Sequence, residues 1–204
     1  MRSANAKKGR YHHGELRAAL IDAAIGLIGE RGVAGFSLAE VSRRLGVTVA
    51  APYRHFADRE ELLVAIAERA AGELAAAVRT ESAAGGDPAE RLTGACRGYI
   101  RFASECGPLF QALFAAGFDK TRHPELDAAA RPVLDGFLAP ARELTGTEEA
   151  AERLAFAAVA TAHGHAMFLM DGAFGAAPDP LAEAVSRATT AIAAYIAGRA
   201  SFDD

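Results

Sequence analysis

Apolar residues recur at every third or fourth position along almost the whole chain, and most glycine and proline breakers fall between those runs. No strand-like alternation competes with that period, so the fold class is all-α. The punctuation sets the count at about nine helices, over residues 14–30, 38–45, 49–56, 59–80, 88–106, 108–117, 124–145, 148–171 and 180–199. Three of the starts carry capping chemistry: Ser37 with Glu40, Asp58 with Glu61, and Asp87 with Pro88 and Glu90. Gly32 and Gly46 stand where the first two helices stop, and Pro132 and Pro140 bend the seventh.

A net charge of -4 argues against nucleic acid until its distribution is considered. Residues 1–60 hold ten Lys and Arg against six Asp and Glu, and the remainder holds twelve against twenty. A basic head on an acidic body suits a polyanion-binding end. Residues 1–10, with Lys7, Lys8 and Arg10, read as a flexible basic arm. Residues 11–70 form a first domain, whose last helix continues to about residue 80, and residues 88–200 form a second.

Other function classes lack their machinery. Cys96 and Cys106 sit ten residues apart in one expected helix, roughly 15 Å along its axis, beyond the reach of a disulfide. They read as reduced thiols in a cytoplasmic protein. The longest charge-free apolar stretch, Leu154 to Met170, is broken by Thr161, His163, Gly164 and His165 and falls short of the roughly 20 residues a membrane span needs. His163 and His165 diverge by about 200° around a helix, so they do not converge on one metal ion. There is no phosphate loop, nucleophile elbow or His-Glu-x-x-His pattern, so no cofactor, no metal and no enzyme activity are expected.

The segment from Gly46 to Phe56 points elsewhere. A glycine turn leads from one helix into a very short second one, which is the outline of a helix-turn-helix. Thr48 would cap the short helix. On a helical period Pro52 and Phe56 share one face, Ala50, Ala51 and Arg54 lie opposite, and Tyr53 and His55 flank them. Alanines on the outer face let backbone approach base edges in the major groove. Pro52 forfeits one hydrogen bond, the one returning to the Thr48 carbonyl. An ordinary αα-hairpin with an exposed Tyr and His has the same outline, so spacing alone leaves both readings open.

Several spaced motifs resemble one family. Tyr11-His-His-Gly-Glu-Leu-Arg17, the Ser37 cap, Gly46-Val-Thr48, Pro52-Tyr-Arg-His-Phe56 and Asp58-Arg-Glu-Glu-Leu62 are similar to the N-terminal DNA-binding domain of tetracycline-repressor (TetR/AcrR) regulators, over about residues 11–70. The resemblance implies base contacts from Thr48, Val49 and Ala50. It implies backbone contacts from Ser37, Ala51, Tyr53, Arg54, His55 and Arg59, with the start of the helix at Arg59 as a further phosphate site. Position 52 is often leucine in the family, where this chain has proline. Ala162-His163-Gly164 resembles the Trp-His-Gly signature of one regulatory-domain subgroup, with alanine in place of tryptophan.

The same resemblance implies a homodimer on double-stranded DNA and a small-molecule effector site in the second domain. Ala158, Ala162, Ala191 and Ala194 are small enough for close helix approach at a dimer interface; a monomeric core would use them as well. Tyr99, Phe102, Phe110, Phe114 and Phe137, with Thr161, His163 and Met167, supply candidate pocket walls and polar groups, though each also suits plain core. The expected function is a repressor released by a largely apolar effector. A regulator without an effector, and an all-α binding protein or enzyme without DNA affinity, are the alternatives.

Overall fold

The computed structural model of the protein describes residues 13–114 and 123–199. The expected basic arm, with Tyr11 and His12 of the N-terminal motif, lies outside them. Among the described residues there are eight α-helices, two short 3-10 turns and no strand. In chain order the helices are α1 (His13–Arg31), α2 (Leu38–Leu45), α3 (Arg59–Ala83), α4 (Pro88–Glu105), α5 (Gly107–Leu113), α6 (Pro124–Leu144), α7 (Glu148–Met170) and α8 (Pro180–Ala197). The 3-10 turns are Val33–Gly35 and Pro52–Arg54. The all-α expectation holds, and the expected third helix is the one replaced by a 3-10 turn. None of the described helices is long and apolar enough to cross a membrane.

The chain divides into two compact units between Ala65 and Ile66, inside α3. In the first unit, α1 turns Leu20, Ala24, Leu27 and Ile28 into the core, and α2 adds Leu38 and Val41. Gly32 (φ 73°) and Gly46 (φ 68°) end those helices in the left-handed region, which residues with a Cβ adopt at a cost. The α2 cap departs from a reciprocal box. Ser37 Oγ accepts the Glu40 amide at 3.3 Å, but the Glu40 carboxylate is held by the Ser37 hydroxyl and by Arg31.

In the second unit α4 and α7 are the central helices: α4 packs on α5, α6, α7 and α8, and α7 on α4, α6 and α8. Asp87 accepts the Glu90 amide at 2.8 Å while Glu90 accepts the Gly86 amide, one residue before the cap, at 2.7 Å, so α4 starts with two amides satisfied by carboxylates. Gly94 and Gly98 bring the backbone of α4 directly against that of α3. A Cβ built on them would stand 2.4 Å from the Glu81 carbonyl oxygen and 2.6 Å from that of Ala77. Glu81 also pairs with Arg97 at 2.7 Å and with Arg101 at 3.2 Å. The α6 helix runs through Pro132 and Pro140 from end to end.

Candidate functional site

The segment after α2 is shaped by one missing hydrogen. Gly46 donates to the Arg43 and Ser42 carbonyls, and Val47 to Ser42 at 3.1 Å, which turns the chain out of α2. The Thr48 carbonyl then takes the Ala51 amide at 2.9 Å. Pro52 has no N–H to continue an α ladder to that carbonyl, and the chain tightens. Arg54 donates to Ala51 at 3.3 Å and His55 to Pro52 at 2.9 Å, giving the 3-10 turn Pro52–Arg54 in place of the expected helix from Val49 to Phe56. The expected Thr48 side-chain cap is likewise replaced: the turn opens at Ala51 with no side-chain cap, and Thr48 closes its entry through the carbonyl.

Below this turn, Pro52 and Phe56 are buried, and the Arg17 guanidinium of α1 lies 5.1 Å from the Phe56 ring centroid. Above it, Val49 is 55% and Tyr53 56% exposed, with Thr48, Ala50 and Arg54 also exposed. Ala51 and His55 are half-buried at the flanks. From Val41 to Ala57 the chain carries three arginines and no carboxylate. Two acids of α1 and α2 are engaged by arginines: Glu30 pairs with Arg44 and Glu40 with Arg31. The Arg44 hydrogen bond holds the Glu30 carboxyl below its ordinary range. What faces outward is an almost bare backbone ringed by hydroxyl, phenol and guanidinium groups, a surface suited to polyanions.

Three expected phosphate contacts have other work in the structure. Arg59 donates from Nε to the Phe36 carbonyl at 3.1 Å and from a terminal nitrogen to the Val33 carbonyl, and it lies 4.5 Å from the Phe36 ring centroid. It pins the start of α3 to the chain between α1 and α2. The start of α3 is also occupied, because Asp58 accepts the Glu61 amide at 2.9 Å and Glu61 accepts the Ala57 amide. Two amides at this helix start, and the negative charge that would repel a phosphate, are thus supplied by the chain's own carboxylates. Ser37 is similarly committed to its cap. The carbonyl partners of Arg59 lie 23 and 26 residues away, and no local pattern around it signals them.

In the second unit, five of the eight expected pocket residues come together. Tyr99 meets Phe110 edge-on at 5.9 Å and Phe137 at 6.3 Å between ring centroids. Phe114 packs on Phe110 at 4.7 Å and on His163 at 4.6 Å. The Tyr99 hydroxyl and His163 Nδ1 are 3.0 Å apart. The other three lie apart from this cluster. Phe102 lines a groove of about 420 Å³ with Ala77, Gly98 and Arg101. Thr161 bonds to the Ala157 carbonyl and the Tyr195 hydroxyl, tying α7 to α8, and Met167 faces outward.

Two of the four alanines expected at a dimer interface need correction. Ala158 and Ala162 are completely enclosed, because α7 is a central helix of its own unit and uses its small residues to approach its neighbours. Ala191 is half-buried and Ala194 exposed. The apolar groups that α7 presents to the outside are Phe156 (59% exposed), Phe168 (58%) and Met167. Among the described residues no group of three or more His, Cys, Asp or Glu is placed to hold a metal ion.

Known proteins carry the same two-part pattern. Residues 20–66, which include the glycine turn and the exposed segment, match the bacterial regulatory proteins of the tetR family, and residues 92–192 match the tetracyclin repressor-like C-terminal domain. The chain belongs to the tetR family. Both halves of a TetR regulator are thus present, and the protein is a DNA-binding transcriptional regulator. It is 29% identical over 153 residues to the HTH-type transcriptional regulator BetI of Rhizobium meliloti (strain 1021), covering 72% of this chain and 74% of that protein. A structure from Rhodococcus sp. RHA1, of unknown function, superposes with a TM-score of 0.77 at 28% identity, covering 91% of this chain and 97% of the other. A tetR-family transcriptional regulator from Streptomyces coelicolor shares the fold, with a TM-score of 0.74 at 24% identity over 94% of this chain and 85% of its own.

Proposed function

We propose that this TetR regulator is a homodimeric repressor that binds a pseudo-palindromic operator through the segment from Thr48 to His55 and leaves it when a small, largely apolar molecule enters the second unit. The observation that carries the reading is the segregation within that segment: Pro52 and Phe56 buried, Val49, Ala50, Tyr53 and Arg54 outside, and no carboxylate in the chain from Val41 to Ala57. Thr48, Val49 and Ala50 approach the bases, with thymine methyls as apolar partners for Val49 and Ala50. Tyr53, Arg54 and the half-buried His55 and Ala51 meet the sugar-phosphate backbone. Arg59 and Ser37 act as positioning residues that set the turn at the right height.

One turn of three residues reads few base pairs, so a two-fold pair of reading heads is needed for useful affinity and selectivity. The outward Phe156, Met167 and Phe168 of α7, with Ala194 on α8, supply apolar surface for a self-complementary contact between copies. The effector acts by preferring a conformer in which the two heads no longer match successive major grooves.

Selection of duplexes from a random pool tests this directly. The expected product is an inverted repeat with half-site centres about 34 Å, or about 10 base pairs, apart or at a multiple of that spacing. Recovered affinity should fall steeply with salt through counterion release. Recovery of single, unrepeated sites, or of no enriched sequence, overturns the proposal.

A further inference from the structure

We propose that the ring cluster around Tyr99 and His163 binds an uncharged, flat, apolar molecule bearing one hydrogen-bond acceptor, to which His163 Nε2–H donates. The inference rests on the reading of the second unit as an effector domain and names the chemistry of the effector. It starts from how the cluster is closed on one side and open on the other. Tyr99, Phe110 and Phe137 are buried, whereas Phe114 is 44% exposed and His163 is half-buried. Four aromatic rings and an imidazole therefore form a wall whose outer members are Phe114 and His163, and none of the five side chains is charged at neutral pH.

Proton placement follows from burial. Burial pushes the Tyr99 phenol above and the His163 imidazole below their ordinary values, so both are neutral. The hydroxyl of Tyr99 is buried with His163 Nδ1 as its partner at 3.0 Å, and a buried O–H left without an acceptor is costly. The Tyr99 hydroxyl accordingly donates to Nδ1, and the imidazole carries its own hydrogen on Nε2, on the far side of the ring from Tyr99. The site thus offers aromatic faces and one neutral donor. A carboxylate or ammonium entering it would lose hydration with no opposite charge among these five side chains to replace it.

Three probes of nearly identical shape separate these terms: acetophenone, with one acceptor, α-methylstyrene, with none, and benzoate, with a charge. They are titrated into the full-length protein without DNA and followed by ligand-observed NMR, so the outcome is independent of whether the duplex-binding proposal holds. Acetophenone is expected to bind saturably with a Kd of about 1 mM or tighter, and benzoate at least about tenfold more weakly. His163→Leu is expected to weaken acetophenone about fivefold more than it weakens α-methylstyrene, the cost of one hydrogen bond. The proposal is overturned by absence of acetophenone binding at about 10 mM, by benzoate binding within about threefold of acetophenone, or by equal losses of both neutral probes in His163→Leu. Should that variant fail to fold, the comparison of acetophenone with benzoate on the native protein still decides.

Discussion

The same substitution, glycine to alanine, should have opposite effects at two places in the regulatory unit. At Gly72, in the middle of α3, a Cβ would meet nothing within 4 Å, so Gly72→Ala should simply recover helix propensity, about 1 kcal/mol. At Gly98 on α4 the Cβ would stand 2.6 Å from the Ala77 carbonyl oxygen, and the neighbour is helix backbone, unable to swing aside as a side chain does. An ordinary carbon-to-oxygen contact is about 3.3 Å, so α3 and α4 must part by roughly 0.7 Å, straining the Glu81 pairs with Arg97 and Arg101. Overpacking of this kind costs about 1–3 kcal/mol. The propensity gain is common to both variants, so their difference isolates the contact. At about 2–4 °C per kcal/mol for a chain of this length, Gly98→Ala should melt about 2–12 °C below Gly72→Ala. Calorimetric scans at one fixed protein concentration, needed because association shifts the melting temperature, provide the measurement. A Gly98→Ala protein that melts at or above Gly72→Ala would show that the two helices do not approach as closely as described.

Other outcomes follow from the site. Arg59→Ala should cost the folded DNA-binding unit about 1–3 kcal/mol through the lost carbonyl bonds and ring contact, read by urea unfolding; an unchanged midpoint would return Arg59 to a purely phosphate-binding role. Arg54→Ala should lower the slope of log affinity against log salt by about one, and Tyr53→Phe should weaken all duplexes alike. Ala50→Leu should abolish operator binding while leaving the circular dichroism spectrum intact, and retained affinity would mean that a different surface meets the DNA. His163 has a folded-state pKa below its ordinary 6.5, so the unfolded chain binds the proton more readily. Stability should therefore fall as pH drops below about 6.5, and His163→Gln should show a shallower loss in unfolding measured between pH 7 and pH 5.

Features set by neighbours in sequence were legible in it. The caps at Ser37, Asp58 and Asp87 each satisfy an amide three residues on, and Gly46 adopts the conformation its place demanded. The inward turn of Pro52 and Phe56 is also local, since it follows from the spacing of two apolar residues. What was not legible was set by partners far along the chain. Arg59 finds its carbonyls 23 and 26 residues away, and its position in a familiar motif disguised that use. Ala158 and Ala162 were expected at an interface because they are small, but smallness serves close packing inside a unit equally well, and only the placement of α7 distinguishes the two. The pairing of Tyr99 with His163 spans 64 residues, and chemical type suggested the two as candidates without implying that they touch. The 3-10 turn at Pro52 lies between these cases: the missing hydrogen was visible, but whether the chain would keep an α geometry around it was not.

The division of labour across the turn at Pro52 bears on how such a protein diversifies. Side chains that hold the turn down, Pro52 and Phe56, are not the ones displayed to solvent, Val49, Ala50 and Tyr53. Exchange of the displayed set is therefore nearly neutral for folding. A lineage built on this scaffold can acquire new genomic addresses by single codon changes without passing through misfolded intermediates, and an engineer can randomise three positions and expect most of the library to remain intact.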